Sequence, residues 1–173
     1  MWLSFKFLIA RVIDFIFGRP AEQPALQEPE TVFVEEPTEP EQLLLPGWIA
    51  QNFHEDEFFC PDGTVVPEDC FPQLSALAGN LQALRDHLGV PVIVVSGYRN
   101  EQYNTSIGGD KDSCHHTAAA ADISVPDYSV DDLAQIIDIL IKDGRTVEGG
   151  VGIYPEYVHY DIRGERVRWD ARG

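Results

Sequence analysis

The sequence predicts an α+β domain, and three observations carry the prediction. Two segments repeat their apolar residues at helical spacing, short unbroken apolar runs lie between and after them, and turn residues separate each from the next. The 173-residue chain is 44% hydrophobic, enough to fill one core. Its formal net charge of -17, from 29 acidic against 12 basic residues, repels nucleic-acid phosphates, and no basic stripe offsets it. No nucleic-acid partner is expected.

The elements follow in order. Residues 1–18 are rich in large apolar side chains, interrupted by Lys6, Arg11 and Asp14. The run is shorter than the roughly 20 residues of a spanning helix. As a helix it gathers Trp2, Phe5, Ile9, Val12, Phe15 and Ile16 on one broad face, which suits an anchor on a membrane surface or a docking helix for a larger assembly. Residues 19–45 alternate prolines with glutamates, a composition that cannot bury a core and reads as an extended acidic tether. The folded unit is expected over 46–173.

Within it, Pro72 to Leu88 reads as a helix with Leu74, Leu77, Ala78, Leu81, Leu84 and Leu88 on its inner face and Gly89 as its stop. Val90 to Val95 is continuously apolar and is expected as a buried strand. Glu101 to Ile107 forms a short helix closed by Gly108 and Gly109. Ala118 to Val125 is a second apolar strand. Ser129 caps another helix with Asp131 and Asp132 in its first turn and Leu133, Ile136, Ile137 and Leu140 inward. Two β segments, Gly150 to Tyr154 and Tyr157 to Ile162, close the pattern. Cys60, Cys70 and Cys114 have no CxxC spacing, so they make no structural zinc knuckle; Cys60 and Cys70 flank a turn and read either as a local disulfide or as two small buried hydrophobes.

Asp122 lies inside an apolar strand, where an ionised carboxylate needs a metal or a strong donor set. His115 precedes it by seven residues, and His159 lies in a second strand. Two histidines and one carboxylate are the ligand set of a catalytic zinc site with one position left open. On residue types alone the trio is weak, since a chain with five histidines offers many.

The surrounding motifs are specific. Val95-Ser96-Gly97-Tyr98-Arg99, Asn104, Gly108-Gly109, Ser113-Cys114-His115, Ala120-Ala121-Asp122, Gly150-Val151-Gly152-Ile153-Tyr154, Val158-His159-Tyr160-Asp161 and Arg163-Gly164 follow one another in a fixed order. Together they resemble the D-alanyl-D-alanine carboxypeptidase family of zinc peptidases, whose fold the Hedgehog signalling domain shares. The resemblance runs from about Pro46 to Trp169 and includes Phe58-Phe59-Cys60 before Asp62-Gly63-Thr64.

It implies a small, mostly antiparallel sheet carrying the zinc site, with helices on one side. It implies Zn2+ on His115, Asp122 and His159, and a peptidoglycan peptide as substrate. Arg99 matches the residue that holds the substrate carbonyl and supports the oxyanion, as its guanidinium chemistry allows; the alternative is a structural salt bridge. Ser113 either hydrogen-bonds the substrate or orients its loop. Glu156, three residues before His159, is the expected general base. Asp161, on the same strand face as His159, is the other candidate or else a partner that fixes a histidine tautomer or binds an arginine. The family pattern has glycine where this chain has Ala118, so a left-handed backbone there would be strained. His116, His54 and His87 are read as non-ligands, and Cys114 as no nucleophile. The alternative to an enzyme is a zinc-stabilised module that binds cell-wall peptide without cutting it. Substrate logic places either version in the cell envelope, periplasm or extracellular space, membrane-associated or part of a phage particle.

Overall fold

The computed structural model describes residues 46–173. The two N-terminal expectations, the helix over 1–18 and the tether over 19–45, lie outside the described residues. The described unit opens with a two-stranded antiparallel ribbon, β1 (Trp48–Ala50) and β2 (Phe53–His54). Helix α1 (Phe71–Leu88) follows, with Pro72 in its first turn, where a missing N–H costs nothing, and Gly89 at φ 69° as its left-handed cap. Then come β3 (Ile93–Ser96), the short helix α2 (Glu101–Ser106), β4 (Ala120–Ser124), α3 (Val130–Lys142), β5 (Gly150–Ile153), β6 (Val158–Asp161) and β7 (Val167–Asp170). Asn100 caps α2 by accepting from Tyr103 N, and Ser129 caps α3 by accepting from Asp132 N.

Five strands form one sheet in the order β3-β4-β6-β5-β7. Every pairing is antiparallel except β5 with β7. Strand alternation divides the sheet into two faces. Ala121, Ile123, Val151, Val158 and Tyr160 join Leu74, Leu77, Leu81, Leu133, Ile137 and Leu140 in the core under the helices. The other face carries Asp122, His159 and Asp161, away from α1 and α3, while Asn104 of the short α2 lies on the wall of the cleft there. The α+β architecture, with a mostly antiparallel sheet and helices on one side, is therefore as expected.

Three local expectations change. The apolar run Val90 to Val95 is not a buried strand: β3 spans Ile93–Ser96 at the sheet edge, with Ile93 47% and Val95 51% exposed. Only one neighbour, β4, covers it. A third closing strand, β7, lies beyond the two predicted. Its Arg168 clips it to α3 and the α3–β5 loop, reaching Asp138 at 2.6 Å and Glu148 at 2.9 Å. Cys60 and Cys70 are free thiols, not a disulfide; Cys60 is buried and Cys70 half-buried.

Candidate metal centre

The site is built from one row of residues across the open face of the sheet. Ser96 of β3 pairs with Asp122 of β4, Asp122 with His159 of β6, His159 with Gly152 of β5, and Gly152 with Trp169 of β7. His115 joins from the loop before β4. The turn Cys114–Thr117 carries it, with Ser113 Oγ accepting from His115 N at 3.3 Å. The turn ends at Ala118, whose φ of 54° is the left-handed conformation that its lack of glycine makes costly.

Among the described residues, His115, Asp122 and His159 form a buried group whose ligand atoms converge. His115 Nε2 lies 3.1 Å from His159 Nδ1 and 3.4 Å from Asp122 Oδ1, and His159 Nδ1 lies 3.0 Å from Asp122 Oδ1. The far side of each imidazole decides which atoms these are. His115 Nδ1 faces the Gly97 carbonyl at 2.5 Å, which only accepts, so Nδ1 carries the proton and Nε2 keeps a lone pair. His159 lies between two carboxylates, Nε2 3.1 Å from Asp161 Oδ2 and Nδ1 3.0 Å from Asp122 Oδ1, so a cation on Nδ1 would leave the ring proton on the Asp161 side.

His115 Nε2, His159 Nδ1 and Asp122 Oδ1 thus converge on one buried point. A shared cation there would replace the protons that hold the two imidazoles to the carboxylate. Tetrahedral zinc with bonds of about 2.0–2.1 Å separates its ligands by about 3.3 Å, close to the spacing found. The donor set therefore fits a zinc ion by atom type and spacing.

The charges agree. Burial pushes His115 toward its neutral form. Burial also opposes a charge on His159, but the hydrogen bonds it donates to Asp122 and Asp161 outweigh it and raise its proton affinity. Burial disfavours ionised Asp122, yet hydrogen bonds from the two histidines hold its carboxyl below the usual range. Asp161, fully buried, behaves the same way: His159, Arg163 and the Gly150 N–H together outweigh the burial.

Each predicted residue has a definite place. Arg99 binds Asp122 Oδ2 through Nη2 and Ser96 Oγ through Nε at 2.9 Å, so its guanidinium holds the carboxylate whose other oxygen faces the histidines. Asp161 accepts from Gly150 N at 2.9 Å, from Arg163 N at 3.1 Å and from the Arg163 guanidinium, besides His159. Glu156 is exposed in the β5–β6 turn and does not line the cleft over the site. His116 points its Nδ1 at the Arg99 carbonyl, outside the cluster. His87 meets Arg145 on the surface, and His54 is tied to Asp56.

The cleft has a volume of about 460 Å³, and Arg99, Ser113, Cys114, Tyr157, Arg163 and Trp169 are among its walls. Three parts of it escaped sequence reasoning. The Gly97 carbonyl reaches His115 because a Cβ on Gly97 would collide with the Phe58 backbone, so only glycine passes there. Tyr154 and Tyr157 stack at 4.6 Å, and Trp169 Nε1 donates to the Tyr154 hydroxyl at 3.2 Å. The signal for the third was present in the Gly150-x-Gly152 repeat, two strand positions on the site face without side chains.

Fold and donor set together define an α+β domain with a metal centre of the metallopeptidase kind. Residues 51–161 match the family model described as Peptidase M15, and the chain belongs to that family of zinc-dependent peptidases. No curated protein matches the chain.

Proposed function

We propose that the protein is a zinc-dependent peptidase that hydrolyses an amide bond in peptidoglycan stem peptides or cross-links, as a D-Ala-D-Ala carboxypeptidase or an endopeptidase. The observation that carries this is the convergence of His115 Nε2, His159 Nδ1 and Asp122 Oδ1 on one buried point beside the cleft. His115, Asp122 and His159 are the proposed ligands. When bound, zinc supplies a Lewis acid for the scissile carbonyl and activates water at neutral pH.

The chain's own groups supply the rest. Arg99 steadies Asp122 and presents its guanidinium to the cleft, where negative charge develops on the carbonyl oxygen. Ser113 stands on the wall beside His115, within the substrate's reach. Glu156 is the proposed base, because Asp161 has both oxygens committed to His159, Gly150 and Arg163 and none free to take a proton. Asp161 then fixes the His159 tautomer. The substrate lies outside the cytoplasmic membrane, which supports a setting in the envelope, periplasm or extracellular space, or on a phage particle. Residues 1–18 would attach the enzyme to a membrane surface or an assembly. Among the described residues no helix is long and apolar enough to cross a membrane.

A second reading, a zinc-stabilised module that holds cell-wall peptide without cutting it, draws support from the exposed position of Glu156 outside the cleft lining. Digestion of purified peptidoglycan and of a D-Ala-D-Ala stem peptide, with and without chelator, separates the two. Chelator-sensitive products read by mass spectrometry support the enzyme, and their masses give the bond. No product from folded, zinc-loaded protein refutes it in favour of the module.

A further inference from the structure

Residues beyond His159 and Asp161 complete the metal centre from outside the family-matched segment, which ends at Asp161. On the β4 side, His159 has Asp122 as its sheet neighbour. On the β5 side its neighbour is Gly152, which offers no side chain to hold the ring. Adjacent strands lie about 4.8 Å apart, so the strand beyond β5 would ordinarily stand about 10 Å from His159. Yet the Trp169 ring centroid lies 5.1 Å from that of His159, tilted by 48°.

The indole leans across a full strand to reach it. A Cβ on Gly152 would run into the indole, and one on Gly150 would meet it at 3.2 Å, so both glycines clear its path. Its Nε1–H donates to the Tyr154 hydroxyl, which fixes the ring's rotation. The strand beneath is held by Arg168 on Asp138 and Glu148, and by Arg172 on Asp131 at 2.7 Å.

We propose that Trp169 is a positioning residue of the metal centre: it packs against the His159 imidazole across Gly152 and keeps Nδ1 turned to Asp122 and His115. The contacts to Asp122 and Asp161 lie in the ring's plane and hold its two nitrogens, whereas Trp169 covers its face and restricts tilting out of that plane. The inference rests on the zinc reading above.

The test is zinc affinity by chelator competition, together with the visible absorption of the cobalt(II)-loaded protein, for wild type, Trp169→Ala and Trp169→Phe. Losing an outer-shell support weakens metal binding by roughly 10–100-fold, which is the expectation for Trp169→Ala. Trp169→Phe, which keeps a planar ring on the same strand, should restore affinity to within about threefold of wild type, the upper part of that loss being avoided. The cobalt spectrum should change in the alanine variant and return in the phenylalanine one, which a merely destabilised fold would not produce. If the alanine variant does not fold, Trp169→Leu keeps apolar bulk on β7 and removes the ring, with the same expectation. Affinity and spectrum unchanged in a folded Ala or Leu variant overturn the inference alone. Wild-type protein that takes up no zinc overturns the underlying reading and this inference with it.

Discussion

Replacing Asp161 by asparagine removes one charge and almost no volume, and it forces a choice between two hydrogen-bond conflicts. In the wild type Oδ1 accepts from Gly150 N, Arg163 N and Arg163 Nε, and Oδ2 accepts from His159 Nε2, Arg163 Nη2 and, as the second branch of a shared bond, Arg163 Nε. An amide NH2 faces three donors at either position, but at Oδ1 two of them are the backbone N–H groups of Gly150 and Arg163, which cannot give up their protons. At Oδ2 one of them is an imidazole that can, so the second arrangement is the less costly. His159 must then give up its Nε2 proton to accept from the amide, and the proton moves to Nδ1, the atom aimed at the metal. The expected loss in zinc affinity is about 10–100-fold, or roughly 1.4–2.7 kcal/mol. Metal-free stability should also fall, by about 1–3 kcal/mol, because a buried donor of Arg163 loses its acceptor; the guanidinium is 35% exposed, which argues for the lower half of that range. Chelator competition measures the first quantity and urea unfolding of apo protein the second. A folded Asp161→Asn protein with zinc affinity within twofold of wild type would refute the tautomer argument, whatever happened to its stability.

Other consequences follow from the same geometry. Glu156→Gln should abolish peptide hydrolysis while leaving zinc affinity within about twofold, since its exposed side chain touches no ligand; unchanged turnover would remove it as the base. Apo stability should drain in acid: Asp122 and Asp161 titrate below the free value of about 3.9, so their contribution is complete above that value and is lost as pH falls through their folded values. Urea midpoints against pH check this, and a profile flat down to pH ~2 would contradict it. Tyr160→Phe removes the hydroxyl that donates to the Val147 carbonyl at 2.7 Å in a buried setting and should cost about 1–2 kcal/mol on unfolding. Ala118→Gly relieves about 1–2 kcal/mol of left-handed strain but gives up about 0.8 kcal/mol of buried methyl and 0.5–1 of chain entropy. A net change beyond about 2 kcal/mol in either direction would show the balance to be wrong.

Much of this site was legible because its expensive residue announces itself. A carboxylate inside Ala120-Ala121-Asp122-Ile123 has to be compensated, and the alternation that buries Ala121 and Ile123 turns Asp122 to the opposite face. The same alternation put Asp161 beside His159. Which nitrogen of each histidine serves the metal was not legible, because it is set by groups far apart in sequence: the Gly97 carbonyl for His115, and for His159 an aspartate whose side chain is itself held by Gly150 and Arg163. The apolar run before Ser96 misled in the other direction. Valine-rich segments read alike at the edge and centre of a sheet, and only the strand order exposes Ile93 and Val95. Strand β7 was missed since arginines at alternate positions look like a solvated tail; their partners, Asp138 and Glu148, lie on another helix and loop. Trp169 went with it, and so did the meaning of the two glycines opposite.

The proposed function stands on His115 Nε2, His159 Nδ1 and Asp122 Oδ1 holding one zinc ion. A crystal of the zinc-loaded protein, with anomalous data collected on both sides of the zinc edge, locates the ion. A single zinc peak is expected at about 2.0–2.2 Å from each of those three atoms, with Asp161 still on His159 Nε2. A peak held by the opposite ring nitrogens, or by other residues with these three left facing one another, would contradict it.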